Sequence, residues 1–143
     1  MMEIRVLTSE ERRCLPSFIS QEFSDLSEKM PKPEEEGEHV FSLGALLDGV
    51  IVGYLLVREG YEYYPEERYY MLDYIVVDSV YRNQGIAKKM LMKVEEIAKE
   101  RGISSLRLTS RPSREIARKL YEGDGFTGRD TGLFYKRIGE DKE

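Results

Sequence analysis

Apolar and polar positions follow two different periods along the chain, and the change of period falls near residue 85. Leu72, Tyr74, Ile75, Val76 and Val77 form an apolar, β-branched run broken only by Asp73, which predicts a buried strand starting at Arg68. Asp78 to Gln84 is short and polar and reads as a loop. From Gly85 the apolar side chains recur every three or four residues, at Ile86, Met90, Val94 and Ile97, with Ala87, Leu91 and Ala98 widening the stripe. Lys88, Lys89, Lys93, Glu95, Glu96, Lys99 and Glu100 take the opposite face, and Gly102 is placed to stop the helix.

The same patterning extends outward. Glu3 to Leu7 alternates weakly and reads as a first strand. Glu10 to Met30 is helical in pattern, with Leu15, Phe18, Ile19, Phe23 and Leu26 on one side and Pro16 set to kink or divide it. Thr8 or Ser9 can cap this helix, although Ser9-x-x-Arg12 lacks the full capping box. Pro31 to Glu38 is a linker by composition, and Glu34, Glu35, Glu36 and Glu38 read as a solvated loop or as an attractor of a cationic amine. Val40–Leu47 and Val50–Val57 are strands joined by Asp48-Gly49, a two-residue hairpin signal. Gly60 to Glu67 reads as a tyrosine-rich loop, lining a pocket or packing on a sheet edge. Ile103 to Thr109 is a fifth strand, and Pro112 suits the first turn of a helix burying Ile116, Ala117, Leu120 and Tyr121. Gly123, Gly125 and Gly128 break the chain before a last strand, Leu133 to Ile138, and residues 138–143 are expected to fray. The fold class is α+β in one domain, residues 1–143: a mixed, mostly antiparallel sheet of six to seven strands with about four flanking helices.

Charge changes the picture more than composition does. The formal net charge is −5, yet Tyr81 to Tyr121 holds eleven Lys and Arg against four Glu, a local +7 that leaves −12 for the rest. An acidic chain with one basic sector argues against nucleic acid and for a localised anionic ligand, although part of that excess is solvated helix face. No apolar run is long enough to span a bilayer and no signal-peptide core is visible, so a cytoplasmic protein without a membrane partner is expected. The lone Cys14 excludes an intrachain disulfide, makes a thiolate metal site improbable, and reads as a buried helical thiol. The single histidine, His39, rules out histidine-rich metal sites and reads as a strand-edge residue. No metal is expected.

The join of loop and helix is where chemistry concentrates. Arg82-Asn83-Gln84-Gly85-Ile86-Ala87 puts small residues where a helix begins, with unpaired N–H groups and the positive end of the helix dipole pointing outward. Such a turn accepts phosphate, and Arg82, Lys88 and Lys89 add full charge beside it. Other phosphate-binding loops would satisfy the same argument. The pattern R-x-x-G-x-A after a strand ending Val-Val-Asp resembles the coenzyme A signature of the GNAT N-acetyltransferases. Leu108-Thr-Ser-Arg-Pro-Ser-Arg-Glu-Ile-Ala-Arg-Lys-Leu-Tyr-Glu-Gly-Asp-Gly-Phe126 resembles that family's second motif. The resemblance is specific over roughly residues 68–137.

It implies acetyl-CoA as cosubstrate and direct acetyl transfer, in a ternary complex, to a primary amine of a small molecule or protein. Two helices of the first half would lie over the acceptor. Asn83, Gln84, Gly85, Ile86, Ala87 and Lys88, with Arg82, would hold the diphosphate. The main chain of Ile75, Val76 and Val77 would take the pantetheine, with the Val77 N–H near the thioester oxygen. Tyr121, neutral at pH 7 with an ordinary pKa near 10, is the implied proton donor to the thiolate, or else simply packs at a helix end. Arg114 stands where many relatives have a cofactor-contacting Asn, and could reach a phosphate or a substrate carboxylate instead. Asp73 is the candidate base: it shares strand parity with Ile75 and Val77, and a carboxylate in an apolar strand would have a raised pKa. A structural, hydrogen-bonded Asp73 is the alternative. Two rival functions remain, a non-catalytic coenzyme A sensor or scaffold and a nucleotide-binding regulatory domain. The absence of G-x-x-x-x-G-K-[ST] and G-x-G-x-x-G lowers the latter. A homodimer through edge strands stays open.

Overall fold

A computed structural model describes residues 1–22, 36–64, 66–109, 115–129, 134 and 136–139, with the main chain alone at 20–22, 115 and 116. The chain divides into two compact units, Met1–Arg111 and Pro112–Glu143. In the first, β1 (Met2–Val6), β2 (Val40–Leu47), β3 (Val50–Tyr63) and β4 (Glu66–Val77) are antiparallel neighbours, and β5 (Ser105–Leu108) joins β4 in parallel. This is the expected mixed sheet, with five strands among the described residues rather than six to seven. The last expected strand falls partly outside the described residues, and Phe134, Lys136, Arg137 and Ile138 do not belong to one.

Helices α1 (Ser9–Arg13) and α2 (Ser17–Glu22) replace the first turns of the long helical pattern, divided at Pro16 as its ring requires. Phe23 and Leu26 lie outside the described residues. The cap of α1 is Thr8, one of the two residues expected. Thr8 accepts from the Glu11 N–H at 3.3 Å and Glu11 reaches back to the Thr8 N–H at 2.8 Å, so the box is Thr8-x-x-Glu11. Arg5 grips the same Glu11 with two 2.8 Å hydrogen bonds and helps hold its carboxyl down at about 2. Cys14, expected to be buried, is exposed at the end of α1.

Asp48 and Gly49 both take positive φ, +49° and +84°, as a tight hairpin turn requires. The second hairpin is a larger correction. Gly60 to Glu67 is not a loop, because β3 runs on to Tyr63 and β4 starts at Glu66. A side chain at position 60 would collide with the Tyr69 ring opposite, which explains a glycine within this strand. Tyr61 and Tyr63 pack edge to face on the exposed ribbon, and neither is buried.

Helix α3 (Ile86–Glu100) lies on one face of the sheet and buries Ile86, Met90, Leu91, Val94, Ile97 and Ala98, the predicted stripe apart from the half-buried Ala87. Full burial of Met90, Leu91 and Val94 stabilises by about 1.5–3 kcal/mol each. The helix approaches β3 closely at Gly53, where an added Cβ would meet Ile86 Cγ2 at 3.1 Å and Met90 Cε at 3.2 Å. It ends in a Schellman motif: Gly102 has φ +69°, and the Ile103 N–H donates to the Ala98 carbonyl at 2.9 Å. The opposite face holds a cluster of Leu7, Ile19, Leu46, Ile51, Tyr54, Leu56 and Val76. In the second unit, α4 (Glu115–Gly123) ends in the same way, with Gly125 at φ +93° and the Phe126 N–H on the Tyr121 carbonyl at 3.0 Å. No helix among the described residues is long and apolar enough to cross a membrane.

Candidate active site

The ladder between β4 and β5 ends at the Leu72–Leu108 pair, and β4 continues for five more residues without it. The change coincides with a bulge. Leu56 faces Asp73 and Tyr54 faces Val76, so Tyr74 and Ile75 together oppose Leu55, with Tyr74 at φ +56°. Positive φ on a bulky side chain is strained, and here it bends the strand that β5 leaves behind.

Main-chain direction beyond the bulge follows from one hydrogen bond. The Asp78 N–H donates to the Val52 carbonyl at 2.9 Å, just outside the Gly53–Val77 pair. Gly53–Val77 is therefore a non-hydrogen-bonded pair, and the N–H and carbonyl of Val77 point away from β3, to the side where β5 has ended. Arg82 Nε donates to that carbonyl at 3.1 Å. The alternation turns Val76's amide and carbonyl toward Tyr54, while Ile75 sits in the bulge.

Asp78 ends β4 and caps the next turn, accepting from the Val80 N–H at 3.2 Å in the short 3₁₀ segment Ser79–Tyr81. Asn83 and Gly85 then take φ +65° and +75°. Gly85 occupies the cap position of α3 and offers no side chain, in contrast to Thr8 at α1. Lys89 is the first residue to bond back into the helix, to the Gly85 carbonyl at 3.1 Å, so the amides of Ile86, Ala87 and Lys88 open the helix without a capping side chain. A Cβ at Gly85 would meet nothing within 4 Å. Arg82, Asn83, Gln84 and Lys88 are exposed around this turn. Uncapped amides, an unobstructed approach and nearby cations are what a diphosphate needs, so these residues fit the group the sequence resemblance implies.

A profile of the GNAT acetyltransferases matches residues 4–126 of the chain. The chain belongs to the GNAT family. It is 33% identical over 117 residues to the uncharacterized N-acetyltransferase YycN of Bacillus subtilis (strain 168), covering 81% of this chain and 71% of that one. Among solved structures, ribosomal-protein-alanine N-acetyltransferase from Brucella melitensis biovar Abortus 2308 superposes with a TM-score of 0.73 at 26% identity, over 97% of this chain and all of the other (100%). The aminoglycoside N-acetyltransferase AAC(6′)-Iy in complex with CoA shares the fold, with a TM-score of 0.74 at 20% identity over 96% of this chain and 95% of that one. The protein is thus an acetyltransferase by family.

For this GNAT chain the structure alters the setting of Asp73. The bulge breaks the strand parity expected of it: Asp73 shares a face with Leu56 and Val76, not with Ile75 and Val77. Nor is it isolated among apolar groups, since Arg58 Nε lies 2.5 Å from Oδ2, and this carboxylate holds the Arg58 guanidinium firmly charged. Tyr121 is buried near the end of α4, its ring centroid 6.2 Å from that of Phe126. Arg114 lies outside the described residues.

One group was missed in the sequence. Glu36, read as solvated or as an attractor of an amine, has a side chain only 2% exposed and lies against Arg12 and Ser42, the latter paired in turn with Tyr54. Burial pushes its carboxyl up, against the opposing pull of Ser42 and Arg12, and burial likewise raises the Tyr54 phenol. The one available signal was Ser42, a polar residue inside the apolar run of β2. A separate groove of about 420 Å³ between α1 and the β2–β3 hairpin contains none of the candidate residues.

Proposed function

We propose that this GNAT protein transfers the acetyl group of acetyl-CoA directly to a primary amine. The observation that supports this best is a pair of main-chain features: the uncapped amides of Ile86–Lys88 and the Val77 amide facing away from β3. Acetyl-CoA, when bound, supplies an acyl group activated as a thioester. Arg82, Asn83, Gln84, Gly85, Ile86, Ala87 and Lys88 hold the diphosphate, and the main chain of Ile75 and Val77 aligns the pantetheine, whereas that of Val76, expected to share this role, is turned to Tyr54. The Val77 N–H stabilises the oxyanion that forms as the amine attacks. Asp73, paired with Arg58 and off the face of Val77, receives the amine proton through water, and Tyr121 gives its phenolic proton to the departing thiolate.

The relatives' named acceptors, ribosomal-protein alanine and aminoglycosides, are both amines, and this class is carried over without choosing between them. The test is calorimetric binding of acetyl-CoA followed by thiol release across a panel of primary amines. Tight binding with turnover of at least one amine is expected. Tight binding without turnover of any amine would turn the reading into a coenzyme A sensor.

A further inference from the structure

The catalytic reading leaves one buried carboxylate without a role. Glu36 Oε2 accepts from Ser42 Oγ at 3.1 Å and lies 3.3 Å from Arg12 Nε, whose side chain is only 13% exposed. Ser42 Oγ and Tyr54 Oη are 2.8 Å apart, and both residues are fully buried. Glu36 Oε1 has no hydrogen-bond partner among the described residues. Taking a carboxylate out of water is costly, and a half-satisfied buried network is worse than apolar packing. The chain nonetheless puts a carboxylate here, where a buried leucine or methionine would avoid that cost.

The hydrogen-bonded series leads to the strand that matters. Tyr54 is the cross-strand partner of Val76, on the same face, and both belong to the cluster with Leu7, Ile19 and Leu56. Cross-strand partners sit with Cβ atoms about 5 Å apart, so the Tyr54 ring is a direct support for Val76. Its hydroxyl is tethered at Ser42, and Ser42 is tethered at Glu36. The ring therefore cannot turn away from Val76 without breaking a buried hydrogen bond. Val77, the next residue, carries the amide that faces away from β3.

We infer that Glu36 is a positioning residue for the catalytic strand: its carboxylate, acting through Ser42 and Tyr54, fixes the Val76–Val77 main chain. The inference rests on the acetyl-CoA reading for its functional consequence, since Val77 is the amide assigned to the oxyanion. Glu36 is faced by Arg12 from α1, Ser42 from β2 and Tyr54 from β3, and Tyr74 of β4 acts on the Tyr54 hydroxyl in turn. As pH falls through the raised titration of Glu36, the carboxylate gains a proton, its attraction to Arg12 disappears and its hold on Ser42 slackens.

Two-dimensional amide spectra of the full chain from mildly acidic to neutral pH test this directly. In the wild type, the Val76 and Val77 amides titrate with a component whose midpoint lies above the ordinary carboxylate range. That component is lost in Glu36→Gln and kept in Asp78→Asn, which removes the carboxylate adjacent to Val77. In Tyr54→Phe the Gly37 amide still reports Glu36 titrating, while the component at Val76 and Val77 vanishes. This second variant carries the test if Glu36→Gln does not fold. Identical titration of Val76 and Val77 in wild type and Tyr54→Phe, or no such component in the wild type, overturns the inference. Acetyl-CoA added at neutral pH separates the two readings. Shifts at Val77 and Ile86–Lys88 without any Glu36-dependent component overturn this inference alone. The absence of those shifts overturns the acetyl-CoA site and leaves the Glu36–Val76 coupling standing on its titration.

Discussion

Position 85 lets stability and ligand binding be separated with two substitutions. Gly85 holds φ +75° at the start of α3, and a Cβ there meets nothing within 4 Å, so neither Ala nor Glu collides with the protein. Both must adopt the left-handed conformation, which costs about 1–2 kcal/mol and lowers Tm by roughly 2–8 °C in a chain of this size. Only Glu adds negative charge at the turn assigned to the diphosphate. At about 6 Å from one phosphate charge the repulsion is roughly 0.7 kcal/mol in water and about 3 kcal/mol at the effective dielectric of a protein surface. Gly85→Glu should therefore bind acetyl-CoA about 3- to 100-fold more weakly than Gly85→Ala, which itself should stay within a few-fold of wild type. Calorimetry at low salt measures the difference, and thermal melts check that both variants are equally folded. Raising the salt shortens the screening length and should narrow the gap. Equal affinities for the Ala and Glu variants, at matched Tm, would refute the assignment of the diphosphate to this turn.

Tyr121→Phe should lower kcat by about 100-fold, the lower end for loss of a general acid, with acetyl-CoA affinity unchanged; full activity removes Tyr121 from the mechanism. Asp73→Asn should lower kcat/KM for the amine, and a wild-type kcat/KM in steady-state kinetics would eliminate Asp73 as the base. Gly53→Val forces bulk against Ile86 and Met90 and should destabilise by about 1–3 kcal/mol, seen in denaturant melts, while weakening acetyl-CoA binding because it displaces the first turn of α3. Glu11 is held at about 2 against its ordinary 4.5, so its ionised form is favoured on folding. The stability it adds is complete above pH 4.5 and drains away as pH falls toward 2. Glu11→Ala should thus cost about 1 kcal/mol at neutral pH and progressively less in acid, as read by urea denaturation at each pH.

What was legible in the sequence had its cause in sequence. The α3 stripe, the Gly102 stop and the Asp48-Gly49 turn are local consequences of helix period and left-handed backbone, and they stand where expected. The Gly60–Glu67 hairpin was masked by its own composition, because Pro65 and three glutamates imitate a loop while Tyr61, Tyr63 and Tyr69 keep strand spacing. The bulge at Tyr74 carries no glycine to announce it, and it reversed the parity on which the placement of Asp73 depended. Glu36 could not be told from the glutamates preceding it, since its burial depends on Arg12 and Tyr54, each brought to it by the fold. Pro16 divides the helical pattern as expected, but the thiol of Cys14, read as buried, sits at the exposed end this leaves on α1, where helical spacing no longer decides which side chains face the core.

Hydrogen–deuterium exchange with and without acetyl-CoA bears most directly on the central claim, that main-chain amides of α3 and β4 together grip the cosubstrate. Slowed exchange concentrated at Ile86, Ala87, Lys88 and Val77 is the predicted result. Saturating acetyl-CoA that leaves those four amides unprotected, with slowing elsewhere on the chain, would contradict it.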